Sequence, residues 1–138
     1  MSNELIYLRF LQISMVFLTF ALGYSIFLAV KGKIELHKTI MSIVLSITAV
    51  AVVGLLVTVF VFGFDYQSIK LSETLFNIGP DDMSLRLNIH RLFSCPLLIG
   101  LIWTGYTGVN NMAAQHKKSL IFTLVCWAGT AVTAIIFF

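Results

Sequence analysis

Four stretches without a charged residue dominate the chain: Phe10–Val30, Thr39–Phe64, Leu92–Ala114 and Ser119–Phe138. At a helical rise of about 1.5 Å per residue, about 20 residues cross the roughly 30 Å hydrocarbon core of a bilayer. Every run meets that length, and none alternates with the period of two that a membrane β-barrel requires. Composition agrees: of 138 residues, 59% are hydrophobic and 11% charged. A soluble domain carries about a quarter charged residues, and one this small buries too little surface to hide such an apolar excess. A soluble globule, a disordered chain and a disulfide-stapled secreted domain are thereby excluded. The runs predict an all-α, integral membrane four-helix bundle forming one domain over residues 1–138, with spans near 8–30, 38–64, 88–112 and 117–138.

Two connections, Lys31–Lys38 and Gln115–Lys118, are short enough to force antiparallel neighbours, so the bundle reads as two helical hairpins. Between them, Asn77-Ile78-Gly79-Pro80-Asp81-Asp82 is turn chemistry ending in an Asp suited to cap the third helix. Residues 66–76 are loosely amphipathic and are expected to lie along the membrane interface. The short connections carry Lys31, Lys33, Lys38, Lys117 and Lys118, against Arg9, Lys70, Arg86 and Arg91 on the other side. Basic residues in short loops favour the cytoplasm. The short loops are therefore expected inside and both termini outside a cell (inner) membrane. The lysines serve as membrane anchors, and no nucleic-acid partner is expected from the net charge of +3. The start Met-Ser-Asn-Glu lacks the basic region of a signal peptide, so the first span is expected to be retained.

A repeat is visible. The step from Arg9 to Gly23-Tyr24 equals the step from Arg91 to Gly105-Tyr106, and each hairpin turns into a His-Lys pair, His37-Lys38 and His116-Lys117. The offset is 82 at the Gly-Tyr pairs and 79 at the His-Lys pairs, which predicts one loop three residues shorter than the other. An even number of spans per half makes this a parallel internal repeat.

Chemistry concentrates in three histidines. His37 and His116 are expected at one depth, opening the second and fourth helices, and His90 opens the third on the opposite side. Imidazole is a frequent axial ligand of haem, and bundles place such ligands on facing helices. His37 and His116 are thus the candidate ligands of one b-type haem, and a metal without haem finds no acid or thiol at ligand spacing from them. Below His116, Ser119, Thr123, Trp127, Thr130 and Ala134 are expected to point inward; so are Ser94, Leu97, Leu101, Thr104 and Gly108 below His90. Gln12, Thr19 and Gly23, like Ser42 and Ser46, are read as helix-packing devices. No phosphate loop, nucleophile triad or acidic pair is present, and the six acidic residues lie outside the expected spans, so no enzyme is expected.

Gly23-Tyr24, Lys31-Gly32-Lys33-Ile34-Glu35-Leu36-His37-Lys38 and Met41, with His90 followed by Pro96-Leu97-Leu98, and His116-Lys117 with Trp127, resemble the small membrane family catalogued as domain of unknown function four-twenty. The likeness runs from about Leu8 onward in sparse single positions. It implies a four-helix bundle linked to maturation of haem–copper oxidases, with His37, His90 and His116 among histidines that bind haem or metal. That family also tends to carry a histidine near the outer end of the second helix, where Val59–Phe64 has none, leaving His90 without a partner. The chain is also similar to diheme b-type cytochromes of the ascorbate-reducing kind, which place more histidines deep in their spans. Two readings stay open. One is an accessory or assembly subunit of a membrane electron-transfer complex with haem b as its candidate cofactor. The other is a cofactor-free packing subunit of a larger membrane complex.

Overall fold

A computed structural model describes residues 3–65, 69–70, 72, 74–76 and 78–138. They form four long helices: α1 (Asn3–Val30), α2 (Ile34–Phe60), α3 (Met83–Val109) and α4 (Ala113–Phe137), with no strand among the described residues. Each is long and apolar enough to cross a membrane. The helices begin before the uncharged runs, because a helix satisfies its own backbone where water is scarce and long cationic side chains reach outward on their methylene stems. Glu35 and Lys38 accordingly lie within α2, and Arg86 and Arg91 within α3. His90 is therefore the eighth residue of α3 and does not open it. At its other end α2 stops at Phe60, followed by Gly63 at φ 67°. Of the segment expected along the interface, residues 66–76, residues 66–68, 71 and 73 lie outside the described residues, and no long helix is assigned over the described ones.

The chain divides into two compact units, Met1–Asp65 and Tyr66–Phe138, each built on one hairpin. Helix α1 pairs with α2, and α3 with α4.

In the second unit the buried residues of α3 include Met83, Arg86, Leu97, Gly100, Thr104 and Thr107. Those of α4 include Ser119, Thr123, Cys126, Thr130, Thr133 and Phe137. The α4 set, and the α3 set from Leu97 onward, follow steps of three and four, the spacing of a helix–helix seam. Small and hydroxyl residues let two backbones approach in lipid, where apolar burial alone gives no preference for protein over acyl chain. Gly100 shows the effect: a Cβ there would stand 2.7 Å from Thr123 Oγ1. Thr123 donates to the Ser119 carbonyl (2.8 Å), so Thr104, 2.7 Å away, donates to Thr123. Of the expected inward faces, Ser119, Thr123, Trp127, Thr130, Leu97, Leu101 and Thr104 are buried, while Ser94, Gly108 and Ala134 are half-buried.

The first unit is held more thinly. Helix α1 buries Leu5, Gln12, Leu18, Leu22, Ser25 and Leu28, whereas the buried residue of α2 is Val44. Gly54 makes room for Tyr7, whose hydroxyl would stand 2.5 Å from a Cβ at that position. Gln12 faces inward and accepts from Arg9 Nη1 (2.6 Å). Thr19, Gly23, Ser42 and Ser46 are exposed.

The two turns correspond residue for residue. Helices α1 and α3 end at Val30 and Val109, and α2 and α4 begin at Ile34 and Ala113, both pairs at the same offset of 79. Gly32 N–H bonds the Ala29 carbonyl (3.0 Å) and Lys33 N–H the Leu28 carbonyl (2.9 Å). Asn111 N–H bonds the Gly108 carbonyl (3.3 Å) and Met112 N–H the Thr107 carbonyl (2.9 Å), the same pair shifted by 79. Both are Schellman endings, with the left-handed position filled by Gly32 (φ 75°) and Asn111 (φ 55°). The loops are thus equal in length, and the predicted three-residue difference is wrong. Equal turn length makes Trp103 the counterpart of Tyr24 and Tyr106 that of Phe27, so the two Gly-Tyr pairs are not equivalent positions.

Where α3 begins, Asp82 caps it by accepting from Ser84 N–H (2.9 Å). Arg86, read from sequence as a cation of the outer connection, is instead fully buried. Its Nε donates to the Pro80 carbonyl (2.5 Å) and its Nη1 to the Phe137 carbonyl (2.8 Å). Leu75 N–H reaches the Phe138 carbonyl (3.0 Å). The last carbonyls of a helix lack intrahelical donors and carry partial negative charge, which a guanidinium satisfies in both respects.

Candidate functional site

Each hairpin turn is followed, three residues into the next helix, by a histidine folded back onto the preceding helix. In the first unit His37 Nδ1 lies 2.9 Å from the Ser25 carbonyl oxygen and 2.8 Å from Ser25 Oγ. Ser25 is fully buried, and its hydroxyl reaches the His37 carbonyl (3.2 Å). In the second unit His116 Nδ1 lies 3.0 Å from the Thr104 carbonyl oxygen and 3.4 Å from Thr107 Oγ1. Ser119 Oγ donates to the His116 carbonyl (3.0 Å) and sits 3.3 Å from Thr107 Oγ1. Gly108 leaves the space that the His116 ring occupies.

These partners fix the tautomer. A carbonyl oxygen only accepts, so in a neutral imidazole the proton rests on Nδ1 and the lone pair on Nε2. Metal-bound histidines are held in this way, with the second ring nitrogen donating to a carbonyl, carboxylate or water. The donor chemistry of His37 and His116 therefore suits axial ligation. Among the described residues, no three His, Cys, Asp or Glu side chains are grouped to hold an ion.

The two histidines belong to different units, and each is fixed within its own hairpin. His90 stands apart from His116, because the stretch of α3 from His90 to the Thr107 level is about 25 Å by helical rise. Its Nδ1 donates to Thr133 Oγ1 (2.8 Å), since that hydroxyl spends its own proton on the Gly129 carbonyl (2.7 Å). The ring meets Phe138 edge-on at 5.8 Å.

Around the turns, Lys31, Lys33, Lys38, Lys117 and Lys118 are exposed. Lys31 Nζ lies 5.6 Å from the Phe27 ring centroid, and Lys38 pairs with Glu35 at 3.5 Å, an exposed contact that contributes little. At the far end of the first hairpin, Tyr7, Phe10, Phe62 and Phe64 line an open apolar groove of about 470 Å³. Sequence reading missed the groove and the histidine partners Ser25, Thr104 and Thr107. The twelve-residue step from Ser25 to His37, repeated from Thr104 to His116, was the available signal.

Comparison with protein-family models, with curated proteins and with solved structures gives no match to this chain.

Proposed function

We propose that the protein is an accessory or assembly subunit of a membrane electron-transfer complex of the respiratory-oxidase type, with His37 and His116 as the axial nitrogens of one b-type haem. One observation carries this reading: the two histidines are anchored alike, Nδ1 to the carbonyl twelve residues back, at an offset of 79. Interfacial histidines that merely mark the headgroup level have no reason to share a tautomer-fixing partner. The resemblance of the histidine-bearing segments to a family linked to oxidase maturation supports the same assignment. In this reading the lysine-bearing turns face the cytoplasm, both termini lie outside, and the lysines stand where ammonium groups pair with haem propionates. The haem, when bound, would supply one-electron redox chemistry; the chain supplies two oriented imidazoles and a cationic rim.

A second reading, a cofactor-free packing subunit, draws on α2. Ile43, Ile47, Val50, Val53, Leu56 and Phe60 are all exposed, which suits a helix covered by other membrane proteins or by lipid. Purification in mild detergents separates the two. The first reading expects a Soret band that shifts and sharpens on reduction, and migration on native gels with larger partners. Colourless protein that still migrates with partners supports the second, and a colourless monomer in every detergent contradicts both.

A further inference from the structure

We infer that the chain uses one hairpin module twice, at a sequence offset of 79, and that Ser25 and Thr107 are positioning residues that hold His37 and His116 in the Nδ1–H form. The offset rests on the backbone as much as on the sequence. Buried Leu18, Leu22 and Ser25 of α1 correspond to buried Leu97, Leu101 and Thr104 of α3, and Val44 of α2 to Thr123 of α4. The residues preceding α2 and α4, Lys33 and Met112, share one conformation: φ −84°, ψ 61° and φ −84°, ψ 68°. The hydrogen bonds His37 N–H to the Lys33 carbonyl (3.0 Å) and His116 N–H to the Met112 carbonyl (2.8 Å) again repeat at 79.

Within each module the hydroxyl is oriented by where its proton goes. Thr107 Oγ1 donates to the Trp103 carbonyl (2.9 Å), leaving only lone pairs for His116 Nδ1. Ser25 Oγ donates to the His37 carbonyl (3.2 Å) and likewise turns lone pairs toward His37 Nδ1. The carbonyls of Ser25 and Thr104 are also acceptors within their own helices, so the hydroxyl is the second acceptor that keeps each ring from rotating. The hydroxyl enters from Ser25 in the first module and from one turn beyond the equivalent position, Thr107, in the second. Both therefore leave the basic lone pair on Nε2, although free histidine in water favours the opposite tautomer. That Nε2 serves a metal rests on the haem reading; the tautomers do not.

The test uses the full chain in lipid nanodiscs, haem-free, with ¹⁵N-labelled histidine rings assigned through His37→Gln and His116→Gln. At about pH 8, where an ordinary imidazole is neutral, both rings should give a protonated Nδ1 and an unprotonated Nε2. Either ring predominantly Nε2–H in the unmutated protein overturns the inference. Ser25→Ala should mix the tautomers of His37 alone, and Thr107→Val those of His116 alone, with helix content unchanged. Each should weaken added haemin about ten- to a hundredfold, and Ser25→Thr and Thr107→Ser should restore both readouts. Unaltered tautomers in Ser25→Ala and Thr107→Val would remove the positioning role. Rings locked as described with no low-spin haemin spectrum would uphold the clamp and sink the haem reading instead.

Discussion

Gly108 gives His116 its place: a Cβ at Gly108 would stand 3.1 Å from the ring Cε1 and 3.2 Å from Nδ1. The ring cannot yield freely, because Nδ1 is held 3.0 Å from the Thr104 carbonyl. Gly108→Ala should therefore destabilise the protein by about 1–2 kcal/mol through overpacking and a lengthened hydrogen bond. Gly23→Ala is the matched control, since among the described residues nothing lies within 4 Å of a Cβ there. It should be neutral or stabilise by up to about 1 kcal/mol, the helical advantage of Ala over Gly. Thermal unfolding of both variants in one detergent checks the difference in sign.

The Thr104–Thr123 bond ties α3 to α4 with a single shared proton. A double-mutant cycle with Thr104→Val and Thr123→Val should return a coupling of about 0.5–2 kcal/mol, the range for hydroxyl bonds between membrane helices. A coupling near zero would mean that the two hydroxyls are satisfied elsewhere.

Arg86 should resist replacement. Arg86→Met abandons the Pro80 and Phe137 carbonyls and should cost about 1–3 kcal/mol. Arg86→Lys should recover only part of this, because an ammonium lacks the planar fork that serves two acceptors at once. Hydrogen exchange at Leu75 and Ile78, whose amides bond the end of α4, should accelerate in both variants, more in Arg86→Met.

The four helices were legible because lipid leaves a chain few alternatives: an uncharged run of membrane-spanning length has to satisfy its backbone internally. Their ends were not. Glu35, Lys38, Arg86 and Arg91 interrupt the apolar pattern without interrupting the helix, so charge misreads where α2 and α3 begin. The repeat was seen but misregistered, since Gly-Tyr recurs by coincidence one turn out of step while the Schellman turns keep true spacing. Arg86 looked like a cation of the outer connection; only the seam spacing through Arg86, His90, Phe93, Leu97, Gly100 and Thr104 would have placed it inside. His37 and His116 stood out as a pair, but a hydroxyl far upstream becomes a partner only once the turn brings it back, which no local pattern reports.

Single cysteines at Glu4 and Lys33 test the orientation. With both native thiols, Cys95 and Cys126, replaced by Ser, an impermeant maleimide added to intact cells should label the Glu4→Cys variant and spare the Lys33→Cys variant. Labelling at both positions would remove the proposed topology, and the reverse pattern would invert it.

The visible spectrum of the histidine variants bears most directly on the proposed function. His37→Ala and His116→Ala, purified alongside the unmutated protein in the same detergent, should each lose the low-spin Soret and reduced α-band absorbance. His90→Ala should keep both bands, its ring being engaged with Thr133 at the other end of the hairpin. Loss of the bands in His90→Ala with retention in His37→Ala and His116→Ala would contradict the account.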